Sequence, residues 1–127
     1  MTNDISIEHE ITSFAHELTY ENIPARALEI AHLSILDIFG VTLAGSVRPE
    51  VKLLQRVLGQ WGGSPSCPVF GTNLRLPPAT AALLNGAAAR VLDFDDVVDP
   101  LGIHPSVAIF PALTTIAALK KASCNSY

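Results

Sequence analysis

The chain has 127 residues, a formal net charge of −4 at pH 7, 49% hydrophobic residues and 16% charged residues. Ordinary soluble domains carry about 25% charged residues, so this small chain lacks the polar cover it needs; it hides a large apolar face against a partner or forms the front of a longer protein. Without a Lys/Arg cluster, the acidic balance excludes electrostatic capture by nucleic acid or by an anionic membrane surface.

The first residues, Met1 to Glu8, form neither a secretory signal nor an Arg-rich transit peptide. Ile7, Ile11, Phe14, Ala15 and Leu18 recur at three- and four-residue steps and predict a first amphipathic helix. Its other face carries Glu8, His9, Glu10, His16 and Glu17, a solvated face with incidental histidines. Pro24 suits the first turn of a second helix that runs to about Ala44 and ends at Gly45. That helix is apolar nearly all round from Leu33, which predicts a central place in the core. Glu29, His32 and Asp37 interrupt it and argue against a bilayer span.

Pro49 to Trp61 reads as a third helix, broken by Gly62-Gly63-Ser64-Pro65. Cys67 to Phe70 reads as one short strand leading into a Gly71-Thr72-Asn73 turn. Pro77-Pro78 opens an alanine-rich fourth helix over 79–92, and Pro105 opens a fifth reaching Lys121, with Pro111 placed to kink it. Gly86, after Asn85, costs its helix about 1 kcal/mol relative to alanine, which points to close packing or backbone approach there, the alternative being a tolerated imperfection. The last six residues lose the periodicity and read as frayed. The fold class is therefore all-α, with at most one short strand or hairpin near 66–76. Cys67 and Cys124 have neither metal spacing nor a disulfide framework. Cys67 reads as a packing residue and the compartment as cytoplasmic, with a mitochondrial one left open.

Between the fourth and fifth helices lie Asp93, Asp95, Asp96, Asp99 and His104. Polar groups gathered against an apolar scaffold build sites with perturbed proton affinities, and the plainer alternative is a solvated inter-helix loop with His104 capping the next helix. If the fourth helix continues through them, Asp93 and Asp96 share a face while Asp95 points aside. His104, before Pro105, sits at a helix N-terminus, where the dipole favours neutral imidazole. Asp95-Asp96-Val97-Val98-Asp99 also matches the DDxxD pattern that holds magnesium and a diphosphate. Pro100 biases Asp99 out of the helical region. No basic cluster stands ready for a diphosphate, and five-residue patterns are weak signals.

The run Ala82 to Asp96 (ALLNGAAARVLDFDD), with His104-Pro105-Ser106 and Pro111-Ala112, resembles the MmgE/PrpD family. So do Leu36 to Gly45 (LDIFGVTLAG) and Val69-Phe70-Gly71-Thr72, and the likeness runs from about residue 8 to residue 119. The family includes 2-methylcitrate dehydratases, cis-aconitate decarboxylases and iminodisuccinate epimerases. The resemblance implies a lyase without metal or cofactor, acting on a small di- or tricarboxylate by proton abstraction beside a carboxylate. It implies a homodimer of subunits with a helical domain and a smaller α/β lid domain. Residues 1–127 then correspond to an incomplete N-terminal helical domain without the lid, with little activity alone; the alternative is a non-catalytic helical remnant or interaction module.

By the resemblance, His104 is the proton-transfer residue and Asp93 its electrostatic partner or a substrate-positioning group. Asp96, Arg90 and Ser106 are the substrate-binding candidates. Val97 stands where the decarboxylase branch has threonine, the loop to His104 is one residue longer, and Arg90 replaces a histidine found in many members. The family's further pocket histidine, lysines and tyrosine lie beyond the stretch that this chain matches.

Overall fold

The computed structural model describes residues 6–122. It comprises two compact units that meet in sequence between His32 and Leu33.

In the first unit, helix α1 spans Ile7–Glu17. Ser6 caps it, its Oγ accepting the His9 N–H at 3.3 Å, which satisfies one of the helix's free donors. A single 3-10 turn, Tyr20–Asn22, follows, and the Asn22 Oδ1 accepts the Thr19 N–H at 2.9 Å. Helix α2, Ala25–Gly45, starts directly after Pro24 and crosses into the second unit.

The second unit continues with α3 (Pro49–Leu58), β1 (Cys67–Pro68), β2 (Arg75–Leu76), α4 (Pro78–Arg90) and α5 (Pro105–Lys120). The architecture is mainly α, and the predicted strand at 67–70 is one arm of a short hairpin. Cys67 pairs with Leu76 and Pro68 with Arg75, antiparallel. Helix α4 is central: it packs against α5, α3 and both strands. Its alanines explain this, because small side chains let three neighbours approach one helix. Ala81, Leu84 and Ala88 join Val51, Leu58, Cys67, Val69 and Leu76 in the main core, while Ala89 meets Ile38 and Phe110 in a second cluster. The rings of Phe39, Phe70 and Phe110 surround that second cluster at 5.2–6.1 Å between centroids, a favourable aromatic spacing. Cys67 is fully buried as a packing residue; of the ending read as frayed, Ala122 donates its N–H to the Ala117 carbonyl at 3.0 Å, and the last five residues, Cys124 among them, lie outside the described residues.

The expectation that α2 is central in the core does not hold. Its buried residues are Ile38, Thr42 and Gly45 only, and Leu33 and Leu36 are 61% and 70% exposed. One stripe of the helix faces α4 and α5, and within the unit beginning at Leu33 its other side has no cover. By length and composition alone α2 could cross a membrane; one stripe of it is instead keyed to a partner helix. At Gly45 an added Cβ would lie 1.9 Å from the Ala88 carbonyl oxygen. Close helix approach therefore occurs at Gly45. At Gly86, where the sequence predicted it, a Cβ would find ordinary contacts of 3.7 and 3.8 Å.

Two further details position the site. Asn85 is 2% exposed on α4. Its Oδ1 accepts the Phe70 N–H at 2.9 Å and its Nδ2 donates to the Pro68 carbonyl at 3.1 Å, tying the hairpin to the central helix. Helix α5 runs unbroken through Pro111. The missing N–H there leaves the Val107 carbonyl, one turn back, facing Gly86 of α4.

Candidate active site

Helix α4 ends at Arg90, two residues before the predicted end, and Asp93 takes a left-handed conformation at φ 56°. Aspartate tolerates that region better than most residues. The reversal turns the chain so that the acidic residues do not continue the helix. Consequently, Asp93 and Asp96 do not share a helical face. Asp93 projects outward with its side chain 73% exposed, and Asp95 points inward with its side chain fully buried. A short loop closed by the Val98–Ile103 bridge then returns the chain to α5.

The buried Asp95 carboxylate is the hub. Arg90 Nη1 donates to Asp95 Oδ1 at 2.9 Å and also to Asp93 Oδ1. The Asp95 bond first, and the Asp93 bond second, push the Arg90 guanidinium above its usual range. On the other side, Asp95 Oδ2 lies 3.0 Å from His104 Nδ1. The pair has ion-pair distance but not hydrogen-bond alignment, so both atoms are buried without a hydrogen-bond partner. A buried charge is retained when it is paired, and this one has Arg90 on one oxygen and the imidazole beside the other.

His104 occupies the N-cap position of α5, as expected, but its side chain does not cap the helix. Asp96 does that work from outside. Its Oδ1 accepts the Ser106 N–H at 3.1 Å and its Oδ2 accepts the Ser106 hydroxyl at 2.8 Å. A carboxylate there satisfies a free backbone donor and meets the positive end of the helix dipole. Asp96→Ala is therefore expected to cost about 1–2 kcal/mol of stability, measured as a lower urea midpoint. An unchanged midpoint would return Asp96 to substrate binding alone.

The structure thus brings together Arg90, Asp93, Asp95 and His104 as one cluster, and Asp96 with Ser106 as another. It does not bring Asp93 to His104: the carboxylate beside the imidazole is Asp95. The DDxxD geometry is also absent, because Asp95 and Asp96 turn to different partners. Among the described residues no group of three His, Cys, Asp or Glu side chains converges as metal ligands. Near Ser106, a groove of about 270 Å³ between α2 and α5 is lined by Ile35, Ile38, Ile109, Phe110 and Leu113. It is apolar and offers a carboxylate substrate no cation, so the polar cluster outside it is the better candidate for chemistry.

The MmgE/PrpD N-terminal domain matches this chain over residues 9–126. Human cis-aconitate decarboxylase is 31% identical over 113 residues, 88% of this chain and 23% of the human protein. A cis-aconitate decarboxylase-like protein of Aspergillus oryzae is 28% identical over 119 residues, 94% of this chain and 25% of its own length. Mouse cis-aconitate decarboxylase is 29% identical over 113 residues, 88% and 23% respectively. The chain spans about a quarter of the length of these relatives. With nearly its whole length matched to the N-terminal domain, the chain belongs to the MmgE/PrpD family.

Proposed function

We propose that this chain carries one wall of a carboxylate-lyase site, acting on a small di- or tricarboxylate by proton transfer at carbon beside a carboxylate. The observation that carries this reading is the buried Asp95 set against His104 at the head of α5, in a chain whose curated relatives are decarboxylases. In decarboxylation the C–C bond to the departing CO₂ breaks, its electron pair stays on carbon, and a proton is delivered to that carbon. In dehydration a base removes the carbon-bound proton as hydroxide leaves with a second proton, forming the alkene and water. His104 is the group proposed to move the proton at carbon in either case. Asp93, exposed and hydrogen-bonded to Arg90, is proposed as a substrate-positioning group, and Ser106 and Asp96 are proposed as further substrate-binding groups. Arg90 uses Nη1 for both aspartates, and its half-exposed guanidinium has further N–H donors on Nη2 and Nε that are proposed to meet a substrate carboxylate.

Charge limits what the chain does alone. A tricarboxylate arriving beside Asp93, Asp95 and Asp96 needs compensating cations. Arg90 is already engaged, and the lysines are Lys52, Lys120 and Lys121 only. We therefore propose that other polypeptide completes the site, from a longer subunit or a partner chain, and that the isolated 127 residues turn over slowly.

A second reading, a non-catalytic helical module, draws on the uncovered apolar faces of α2 and α5, where Ile109, Leu113 and Ile116 are each more than half exposed. One comparison separates the two. Residues 9–122 of this chain replace the matching segment of human cis-aconitate decarboxylase, and CO₂ release from cis-aconitate and water loss from 2-methylcitrate are measured for the chimera and for the unaltered chain. Turnover by the chimera supports the lyase reading. A folded chimera that turns over neither substrate supports the module.

A further inference from the structure

The proposed reaction gives His104 a proton to move but does not say which ring nitrogen moves it. The two nitrogens are distinct, and the partner of one decides the state of the other. Nδ1 is the buried one, 3.0 Å from an Asp95 oxygen, and the ring's 28% side-chain exposure lies on its other atoms. Asp95 has no comparable freedom. Its side chain is fully buried, and its other oxygen is fixed by Arg90 at 2.9 Å. The unpartnered Oδ2 is acceptor-only when ionised, and the neighbouring Nδ1 is the nitrogen that can supply its proton.

We infer that Asp95 is the positioning residue of the site: it holds the Nδ1–H of His104, leaving Nε2 as the nitrogen that exchanges a proton with substrate. Arg90 anchors Asp95 from behind, so the order of support is guanidinium, carboxylate, imidazole. The contact is at the right distance but out of line, as such contacts often are before substrate tightens them. Asp95 touches no substrate in this scheme and acts through His104. The inference rests on the lyase reading for its consequence, yet the tautomer itself does not depend on any activity.

The test uses the unaltered chain, labelled with ¹⁵N, and reads the His104 ring by long-range proton–nitrogen correlation at alkaline pH, with His104→Ala identifying its signals among those of the four histidines. The expected result is the Nδ1–H tautomer for His104, opposite to the form free histidine prefers, and reversion to Nε2–H in Asp95→Ala. Asp95→Asn is the second variant if the alanine form does not fold. A wild-type His104 already in the Nε2–H form, or one unchanged by loss of Asp95, overturns the inference. In the chimera, Asp95→Ala is expected to lower kcat on the order of 100-fold with KM little changed. The tautomer as expected together with full turnover in His104→Ala would leave the pairing intact and remove the lyase role of the histidine.

Discussion

His104→Ala, made in the chimera with human cis-aconitate decarboxylase, is expected to lose between about 10² and 10⁴ in kcat, the range that positioned proton transfer supplies. KM is expected to change little, because the imidazole acts on the reacting carbon rather than gripping the substrate. The fold should survive, since the ring is not the cap of α5: Asp96 holds the Ser106 N–H and hydroxyl instead. Loss of the ring does leave Asp95 Oδ2 facing an empty space, which Arg90 on the other oxygen partly offsets. The measurement is steady-state CO₂ release, with circular dichroism to show that both proteins are folded. Unchanged turnover in a folded variant would remove His104 from the chemistry.

Gly45→Ala is expected to cost about 3 kcal/mol, the upper part of the usual range for overpacking. The new methyl would meet backbone, at 1.9 Å from the Ala88 carbonyl oxygen and 2.9 Å from its carbon, as well as the Val91 side chain at 2.9 Å. Backbone atoms of a central helix do not move aside cheaply, so α2 must shift away from α4 and open the Ile38–Phe110 cluster. For a domain with a total stability of roughly 5–15 kcal/mol that is a large loss. Gly86→Ala is the control, since its methyl meets Val107 and Pro111 at ordinary distances. It should raise stability by up to about 1 kcal/mol through helix propensity. Urea unfolding of the two variants checks both signs, with a lower midpoint for the first and an unchanged or higher one for the second.

The contrast between those glycines shows what periodicity can and cannot read. Helical propensity marks Gly86 as costly in its own helix, and nothing in the local sequence says which glycine another helix will press against. Gly45 reads as an ordinary helix end until α4 is seen lying on it. The five α-helices of the described residues were legible from apolar spacing, and α3, α4 and α5 also from the prolines at their first turns, because both signals are local. The exposure of α2 was not, since an all-round apolar helix looks the same whether its partners are within the chain or outside it.

The site was legible in part for a similar reason. The cluster of carboxylates and His104 was visible as a composition anomaly, and the family resemblance directed attention to Asp93 and His104. Which aspartate turns inward was hidden. Hydrophobicity ranks Phe94 as buried and Asp95 as exposed, and the structure has Phe94 73% exposed and Asp95 6% exposed. The left-handed turn at Asp93 rotates the chain, and Arg90, five residues earlier, waits for the carboxylate that arrives. The pairing of Asp96 with Ser106 likewise needs a loop closure that no helical or strand period encodes. Asn85 was seen only as the neighbour of a glycine, although its buried amide ties the hairpin to α4.

The account stands on Asp95 and His104 working as one proton-transfer unit in a lyase site. A double-mutant cycle in the chimera tests that most directly, comparing kcat for Asp95→Ala, His104→Ala and the pair. Groups that act as a unit are strongly non-additive. The predicted result is a double variant no slower than His104→Ala alone. Losses that multiply would show two independent residues and contradict the account.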